Sequence, residues 1–223
     1  MEDILCNNIK VIRFVNSPVP SNAYLLIDGA GTNCIVVDPG SKYQKDICDY
    51  IRSHKLNLDY IILTHEHFDH CWGVNTLLDV FINTKVVATT LCADWVLTPM
   101  NYFNKLYYNS DETYSVKRVD VLAEDVGWEI DWRGESVELI DAKGHTNRSM
   151  CVYIGGALFS GDTMIYNTKP FLKKKYGASL EDLHVTLCNI YNKYSENTIV
   201  YGGHGEPFQL GDMRHFYMEL AII

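Results

Sequence analysis

The sequence predicts an α/β fold in which two β-sheets pack face to face and helices cover the outside. Two observations support this prediction: strands followed by helices occur in two successive rounds along the chain, and no internal segment has the composition of a linker. With 223 residues, 47% of them hydrophobic, the chain is long enough to bury a sizeable core. We therefore expect a single domain over residues 1–223.

The first round begins with short apolar runs of two-residue period, which end at turns rich in Gly, Pro and Asn. Ile47, Tyr50 and Ile51 then recur at a helical spacing, and a buried apolar run follows them. With the preceding strand, they predict a strand, helix, strand unit. The predicted strands of this half are Val11–Val15, Tyr24–Ile27, Cys34–Val37, Tyr60–Leu63 and Lys85–Ala88, and the predicted helices are Lys42–Lys55, Val74–Phe81 and one from about Leu91.

The second round repeats the pattern after a polar interruption near residues 101–120. Its predicted strands are Ser136–Ile140, Met150–Ile154, Ala157–Phe159 and Thr198–Tyr201, and its predicted helices are Ser179–Tyr194 and one from Asp212. The interruption is rich in tyrosine and too irregular to assign, so we treat it as an insertion over one face. It could be a lid over a site, a cover for a sheet edge or a contact with a second subunit.

Composition limits the partners of the chain. A formal net charge of −9 disfavours duplex nucleic acid and leaves a small molecule as the expected substrate. The amino-terminal residues do not resemble a signal peptide, and no apolar run reaches the length of a membrane span. Seven cysteines without a regular spacing fit reduced thiols, so we expect a cytoplasmic protein that does not bind membranes. The sequence gives no indication of oligomeric state.

The most informative segment directly follows the predicted strand Tyr60–Leu63. Three histidines and an aspartate lie within six residues, as His65, His67, Asp69 and His70. Residues two apart on an extended segment point the same way, so His65 and His67 can share one cation, while Asp69 and His70 face a neighbouring position. Imidazole and carboxylate donors suit zinc and also iron or manganese.

Further candidate donors follow other predicted strands and are flanked by small residues: His145, Asp162 and His204. The remaining histidines, His54, His184 and His215, lie on predicted helices without such neighbours, and we interpret them as surface or structural residues.

These motifs together resemble the metallo-β-lactamase fold superfamily over almost the whole chain, because Asp38, the His65–His70 cluster, His145, Asp162 and His204 occur in the order of the family's motifs. The resemblance implies a four-layer αβ/βα sandwich, with two mixed β-sheets flanked by helices and two metal ions at one edge. It implies that His65, His67 and His145 hold one metal, that Asp69, His70 and His204 hold the other, and that Asp162 bridges them.

The same resemblance implies supporting roles for Asp38, Thr64 and Glu66, whose side chains would hold the ligands rather than bind metal. A water that bridges two divalent cations, which we expect to be zinc, is a nucleophile near neutral pH, and Asp69 is the candidate for proton transfer. We therefore expect metal-assisted hydrolysis of a thioester or ester-like bond.

Within the superfamily, the pairing of His70 with Asp162 resembles the glyoxalase II-like hydrolases, which cleave thioesters of glutathione. Only 19 residues follow His204, so we expect the helical carboxyl-terminal domain of two-domain members to be missing. Arg148 replaces a glycine of the usual motif beside His145. Arg148 and, in the basic loop after Asp162, Tyr166 and Lys169 are the candidate substrate contacts.

Other functions remain open. A mononuclear-iron oxygenase similar to the persulfide dioxygenases would use fewer of these ligands, and a lactonase, a β-lactamase-like enzyme or a small phosphodiesterase would use the same ones. Cys71, next to His70, is interpreted as a buried structural thiol rather than a ligand.

Overall fold

Strands of the amino-terminal half pair in chain order into one sheet. The computed structural model describes residues 2–4 and 9–220. Within them, neighbours are antiparallel as far as the fourth strand and parallel from there on. The strands are β1 (Glu2–Ile4), β2 (Lys10–Val15), β3 (Asn22–Ile27), β4 (Asn33–Val37), β5 (Asn57–Ile62), β6 (Lys85–Ala88) and β7 (Val121–Leu122).

The second sheet has six described strands in the order β13-β12-β11-β10-β9-β8. Only the pairing of β11 with β12 is parallel, and the other described pairs are antiparallel. The strands are β8 (Glu129–Trp132), β9 (Glu135–Asp141), β10 (Met150–Ile154), β11 (Ala157–Gly161), β12 (Ile199–Gly202) and β13 (Phe208–Gln209).

Helices connect the parallel strands and cover the outer faces. α6 begins after Ser179, whose hydroxyl accepts a hydrogen bond from the Asp182 amide, so the helix starts at a capping side chain. The described α-helices are α1 (Lys45–Ser53), α2 (Phe68–Cys71), α3 (Val74–Val80), α4 (Thr90–Val96), α5 (Tyr102–Tyr108), α6 (Leu180–Lys193) and α7 (Arg214–Leu220). None of them is both long and apolar enough to cross a bilayer.

Successive side chains along a strand point to opposite faces of the sheet, so the hydrophobic core is divided into layers. On β3, Leu25 packs in the cluster with the outer helices of the first half, whereas Tyr24 and Leu26 pack between the two sheets. A third cluster joins β11 and β12 to α6 and α7. The predicted four-layer αβ/βα sandwich is confirmed.

Most predicted elements lie where the sequence placed them, and the differences concern short elements. The segment near 101–120 contains α5, which the sequence analysis did not assign, because its apolar residues pack on distant partners rather than following a clear period. Phe103 of α5 stacks on Phe68 of α2, with ring centroids 3.6 Å apart. β1, β7, β8, β13 and the one-turn helix α2 were also not predicted. That residues 1–223 form one domain stays a prediction.

Candidate metal centre

All candidate donors lie at one edge of the sandwich, where strands of the same direction end. β4 and β5 run parallel, as do β11 and β12, and β9 runs in the same direction as β11 because both are antiparallel to β10. Side chains that follow such strand ends meet at one edge. The donors and their supporting residues follow β4 (Asp38), β5 (His65), β9 (His145), β11 (Asp162) and β12 (His204).

The first group of donors joins three histidines from two segments. His67 Nδ1 lies 3.0 Å from His65 Nε2 and 3.1 Å from His145 Nε2. Asp162 Oδ2 lies 3.6 Å from His145 Nε2 and 3.9 Å from His65 Nε2. The four side chains can therefore offer one ligand atom each to a shared cation.

The second group uses the other oxygen of Asp162. Asp162 Oδ1 lies 3.4 Å from His70 Nε2 and 3.6 Å from His204 Nε2. Asp69 Oδ2 lies 3.7 Å from the same atom of His70 and 3.5 Å from that of His204. Asp162 thus stands between the two groups, with one carboxylate oxygen toward each.

The carboxylate of Asp38 orients two of the histidines from behind. It accepts hydrogen bonds from His70 Nδ1 at 2.9 Å and from the Thr64 hydroxyl at 2.6 Å. Since the only proton of that hydroxyl goes to Asp38, its oxygen accepts from His65 Nδ1 at 3.0 Å. The Nδ1 atoms of both imidazoles are therefore engaged by hydrogen bonds, and Nε2 of each ring points toward the donor groups.

Two glycines allow the strand ends to approach this closely. A Cβ on Gly161, which has a φ of +49°, would lie 2.3 Å from the Thr64 hydroxyl. A Cβ on Gly203 would lie 2.2 Å from Asp162 Oδ1 and 2.7 Å from His70 Cε1. Only glycine fits at either position without displacing a donor or the hydroxyl behind it.

Burial keeps the first group of imidazoles neutral. It lowers the pKa of His65 well below the usual range, and it lowers the pKa of His67 to about 3, with the neighbouring His145 adding to the effect. Burial also lowers the pKa of His145, although the charge of Asp162 opposes it. Neutral imidazoles with free lone pairs are the form that binds metal ions.

Carboxylates dominate around the second group. Burial disfavours charge on His70, but Asp162, Asp69 and Asp38 outweigh it and raise the pKa of His70 to about 10. Burial would likewise raise the pKa of Asp162, yet the surrounding imidazoles, His70 first, lower it. The two groups thus differ in charge and share the Asp162 carboxylate.

The donor set fits two divalent cations. His65 Nε2, His67 Nδ1 and His145 Nε2 converge, and a cation among them would use one nitrogen of each. His70 Nε2 and Asp162 Oδ1 are buried and have no hydrogen-bond partner among the described residues. Imidazole and carboxylate donors in these numbers suit zinc, iron or manganese.

Glu66, predicted to support the ligands, points away from them. Its Oε2 accepts a hydrogen bond from the Thr146 hydroxyl at 3.0 Å, and its Oε1 pairs with Arg148 Nη1 at 3.3 Å. Burial raises the pKa of Glu66, and the charge of Arg148 opposes this rise. Arg148 therefore lies behind the donors, against Glu66 and the ring of Trp95.

The two predicted contacts in the basic loop, Tyr166 and Lys169, are not bonded to the donors. The Tyr166 ring packs on Phe208, and Lys169 is exposed; within the described part of the chain neither side chain makes a hydrogen bond, ion pair or ring contact with a donor. Their roles in substrate binding stay predictions.

Residues at the other end of that loop reach the site, and the sequence analysis did not select them. The Tyr176 ring packs edge-on against His67 at 4.8 Å, and Lys175 Nζ lies 4.6 Å from the centroid of the Tyr176 ring. The charge of Lys175 contributes to the low pKa of His67, and Tyr102 of α5 acts electrostatically on Lys175. The sequence feature that could have identified these two residues is the run of three lysines directly before Tyr176.

Other missed residues hold the backbone of the donor loops. The Ser21 hydroxyl donates to the Asp69 carbonyl, and the Pro20 carbonyl accepts from His204 Nδ1 at 3.2 Å. Their segment, between β2 and β3, has no sequence motif that would mark it.

Residues predicted to be outside the site lie outside it. His54 stacks on Tyr50 at the end of α1, His184 lies on α6 beside Cys188, and His215 pairs with Glu219 on α7. Cys71 is a buried free thiol that donates to the Glu66 carbonyl.

Comparison with known proteins identifies the family. A family model of the metallo-beta-lactamase superfamily matches residues 16–204. The chain belongs to this superfamily. Among its curated relatives, this metallo-β-lactamase superfamily member is 26% identical over 203 residues to a hydroxyacylglutathione hydrolase of Aeromonas hydrophila, which covers 91% of this chain and 68% of that protein.

Solved structures show the same fold. The BLEG-1 B3 metallo-β-lactamase superimposes with a TM-score of 0.80 at 23% identity, over 94% of this chain and 99% of its own. TTHA1623 in a di-iron-bound form superimposes with a TM-score of 0.74 at 22% identity, over 91% of this chain and 96% of its own. Family and relatives together make this superfamily member a metal-dependent hydrolase.

Proposed function

We propose that the chain hydrolyses a small thioester or ester-like substrate with a pair of divalent metal ions. The observation that supports this most directly is the position of Asp162, whose two carboxylate oxygens face two separate groups of donors. One metal would be held by His65, His67 and His145, the other by Asp69, His70 and His204, with Asp162 between them. The hydroxyacylglutathione hydrolase relative supports the thioester class.

Two divalent cations held by these residues would supply a water of lowered pKa as nucleophile and would polarise the carbonyl of the substrate. The residues of the chain orient and complete this chemistry. Asp38 and Thr64 orient the rings of His65 and His70, so that Nε2 of each faces its group. Asp69, whose Oδ2 lies among the second group, would accept the proton of the attacking water.

The mouth of the site favours a substrate with an anionic part. Lys175 is exposed and lies over the Tyr176 ring, which packs on His67. An exposed cation beside the donors suits a carboxylate on a small substrate, whereas the net charge of −9 disfavours long polyanions. We propose a small-molecule substrate rather than duplex nucleic acid.

The metals are proposed to be zinc, with iron or manganese as the alternatives. The donor set accommodates all three, because it lacks the thiolates that would select among them. The similar fold of TTHA1623, solved with two irons, supports keeping iron open.

Elemental analysis combined with a substrate panel tests this proposal. We expect two metal ions per chain and hydrolysis of a glutathione thioester ahead of a lactone, a β-lactam and a chromogenic phosphodiester. His67→Ala and Asp162→Ala should abolish turnover and lower bound metal, while the control His54→Ala should change neither. Full activity without metal, or one iron per chain with oxygen uptake on a persulfide, would overturn it. Preference for another panel member would overturn the thioester class.

A further inference from the structure

The guanidinium of Arg148 joins three segments that are far apart in the sequence. Its Nη1 lies 3.3 Å from Glu66 Oε1 and donates to the Tyr176 carbonyl at 3.1 Å. Its plane lies over the ring of Trp95, with 4.5 Å from Cζ to the ring centroid. The side chain is only 16% exposed, so these contacts, and not solvent, fix its position.

Through Glu66, Arg148 contacts the segments that carry the metal-ligand candidates. Glu66 lies between the donors His65 and His67, and its side chain is completely buried. Its second oxygen accepts from the hydroxyl of Thr146, which directly follows the donor His145. A buried carboxylate is costly without a cationic or hydrogen-bonding partner, and Arg148 is its cation.

Through the Tyr176 carbonyl, Arg148 contacts the basic loop at the mouth of the site. The Tyr176 carbonyl accepts from Arg148 Nη1 and also from the Asn147 amide, at 3.3 Å. The Tyr176 ring then packs on His67, and Lys175 lies over that ring. The position of the exposed lysine therefore depends on where the Tyr176 backbone is held.

We propose that Arg148 is a positioning residue for substrate binding: it fastens the Lys174–Tyr176 turn to the donor segments and so places Lys175 to receive an anionic group. Its role in substrate binding rests on the proposed function, whereas the docking of the turn does not. Only arginine combines a planar face for Trp95 with several donors for Glu66 and Tyr176, so lysine is a poor substitute.

The variants Arg148→Met and Arg148→Lys test this role in the holoenzyme. Arg148→Met keeps an apolar stem against Trp95 but removes both polar contacts. We expect trypsin to cleave after Lys173, Lys174 or Lys175 about tenfold faster, as measured by mass spectrometry, because a charge-assisted hydrogen bond that holds the turn is lost. Arg148→Lys should give an intermediate rate. The control Arg133→Met, which removes an ion pair with Asp59 away from the donors, should leave that rate unchanged.

Kinetics separate substrate positioning from the chemical step. For a thioester with a carboxylate, Arg148→Met should raise KM about tenfold with kcat nearly unchanged, while KM for a neutral thioester should stay constant. Unchanged cleavage and KM would overturn the proposal, and so would a loss of kcat with KM unchanged. If the wild-type protein cleaves no thioester, the proposed function fails, but the proteolysis result still decides whether Arg148 holds the turn.

A double variant shows whether misfolding of the donor segments, rather than loss of the Tyr176 contact, accounts for the result. Arg148→Met leaves Glu66 buried without its cation, which could disturb the donors themselves. Glu66→Gln combined with Arg148→Met removes that unpaired charge while keeping the Tyr176 contact absent. We expect the double variant to retain two metals per chain and still to show the faster cleavage. Wild-type cleavage in the double variant would show that Glu66, and not the Tyr176 contact, accounts for any effect.

Discussion

Single residues decide which atoms face the metals. Asp38 accepts hydrogen bonds from His70 and from Thr64, and through Thr64 it orients His65 as well. One buried carboxylate thus orients a histidine in each donor group. Loss of such a supporting contact typically lowers metal affinity by about 10- to 100-fold.

Asp38→Asn is expected to weaken metal binding by about 10- to 100-fold, because both carboxylate oxygens accept, Oδ2 from His70 Nδ1 and the Thr64 hydroxyl and Oδ1 from the Thr64 amide, so that the NH2 group of an amide would face a donor. Metal titration followed by calorimetry measures the affinity. Asp28→Asn is the matched control, since Asp28 is also a buried carboxylate but accepts from Thr32 and Asn33 in a turn. Equal metal affinity in the Asp38 variant and the wild type would contradict the assigned role.

Sequence could predict the donors because each is a chemically distinct residue next to a strand end. It could not predict Lys175 and Tyr176 as the mouth of the site. Their placement depends on hydrogen bonds from Asn147 and Arg148, which come from a different strand connection. For the same reason, Tyr166 and Lys169, which are closer to Asp162 in sequence, were selected instead.

At the scale of elements, the strand ends and their tight turns bring the donors together. β11 and β12 deliver Asp162 and His204 on adjacent parallel strands, and Gly161 and Gly203 let their turns touch. α5 lies over the amino-terminal donor segment through the stack of Phe103 on Phe68. Its role as a lid stays a prediction.

Gly203→Ala should displace Asp162 and His70, because its Cβ would lie 2.2 Å from a carboxylate oxygen of the former. A shift of about 1 Å in such a group costs on the order of a hundredfold in turnover. Gly205→Ala is the matched control: its φ of +74° makes alanine strained, but nothing lies within 4 Å of its Cβ.

Turnover and metal content of both variants distinguish the two effects. We expect Gly205→Ala to lose some thermal stability and to keep both metals, and Gly203→Ala to lose metal. The same loss of metal in both variants would show that backbone strain in the loop, rather than the clash, is responsible.

Long elements were predictable and short ones were not. α6 shows both a capping serine and a helical period, so its bounds follow from the sequence. β7 and β13 have two residues each, and α5 depends on a partner in α2. Their formation is decided by neighbouring strands and rings, which local patterns do not contain.

For the whole molecule, the interior contains several thiols and phenols that resist ionisation. Burial raises the pKa of Cys151 to about 12 from its ordinary value of 9.0 and raises those of Cys34, Tyr24 and Tyr217 as well. Below pH 9 the Cys151 thiol is protonated in both states. Above it the unfolded chain loses the proton while the folded protein keeps it, so folding stability falls as pH rises.

Urea unfolding between pH 8.5 and 11 should therefore show a steep alkaline loss of stability, to which Cys151 contributes about 1.4 kcal/mol per pH unit above pH 9. Cys151→Ala should make the slope shallower by that amount. Val152→Ala, a buried change on the same strand without an ionisable group, should lower stability at every pH and keep the wild-type slope. Parallel curves for Cys151→Ala and the wild type would contradict this account.

The donors of each proposed metal come from both sheets. Asp162, shared by the two groups, belongs to the second sheet, and His204 follows every other donor along the chain. A nascent chain of which only the first sheet has been synthesised would contain three of the imidazoles and one aspartate. It would lack the residues that complete either donor group. Cation capture would then be a late step of assembly during biosynthesis rather than the first, because the second sheet must be in place before either cluster is complete.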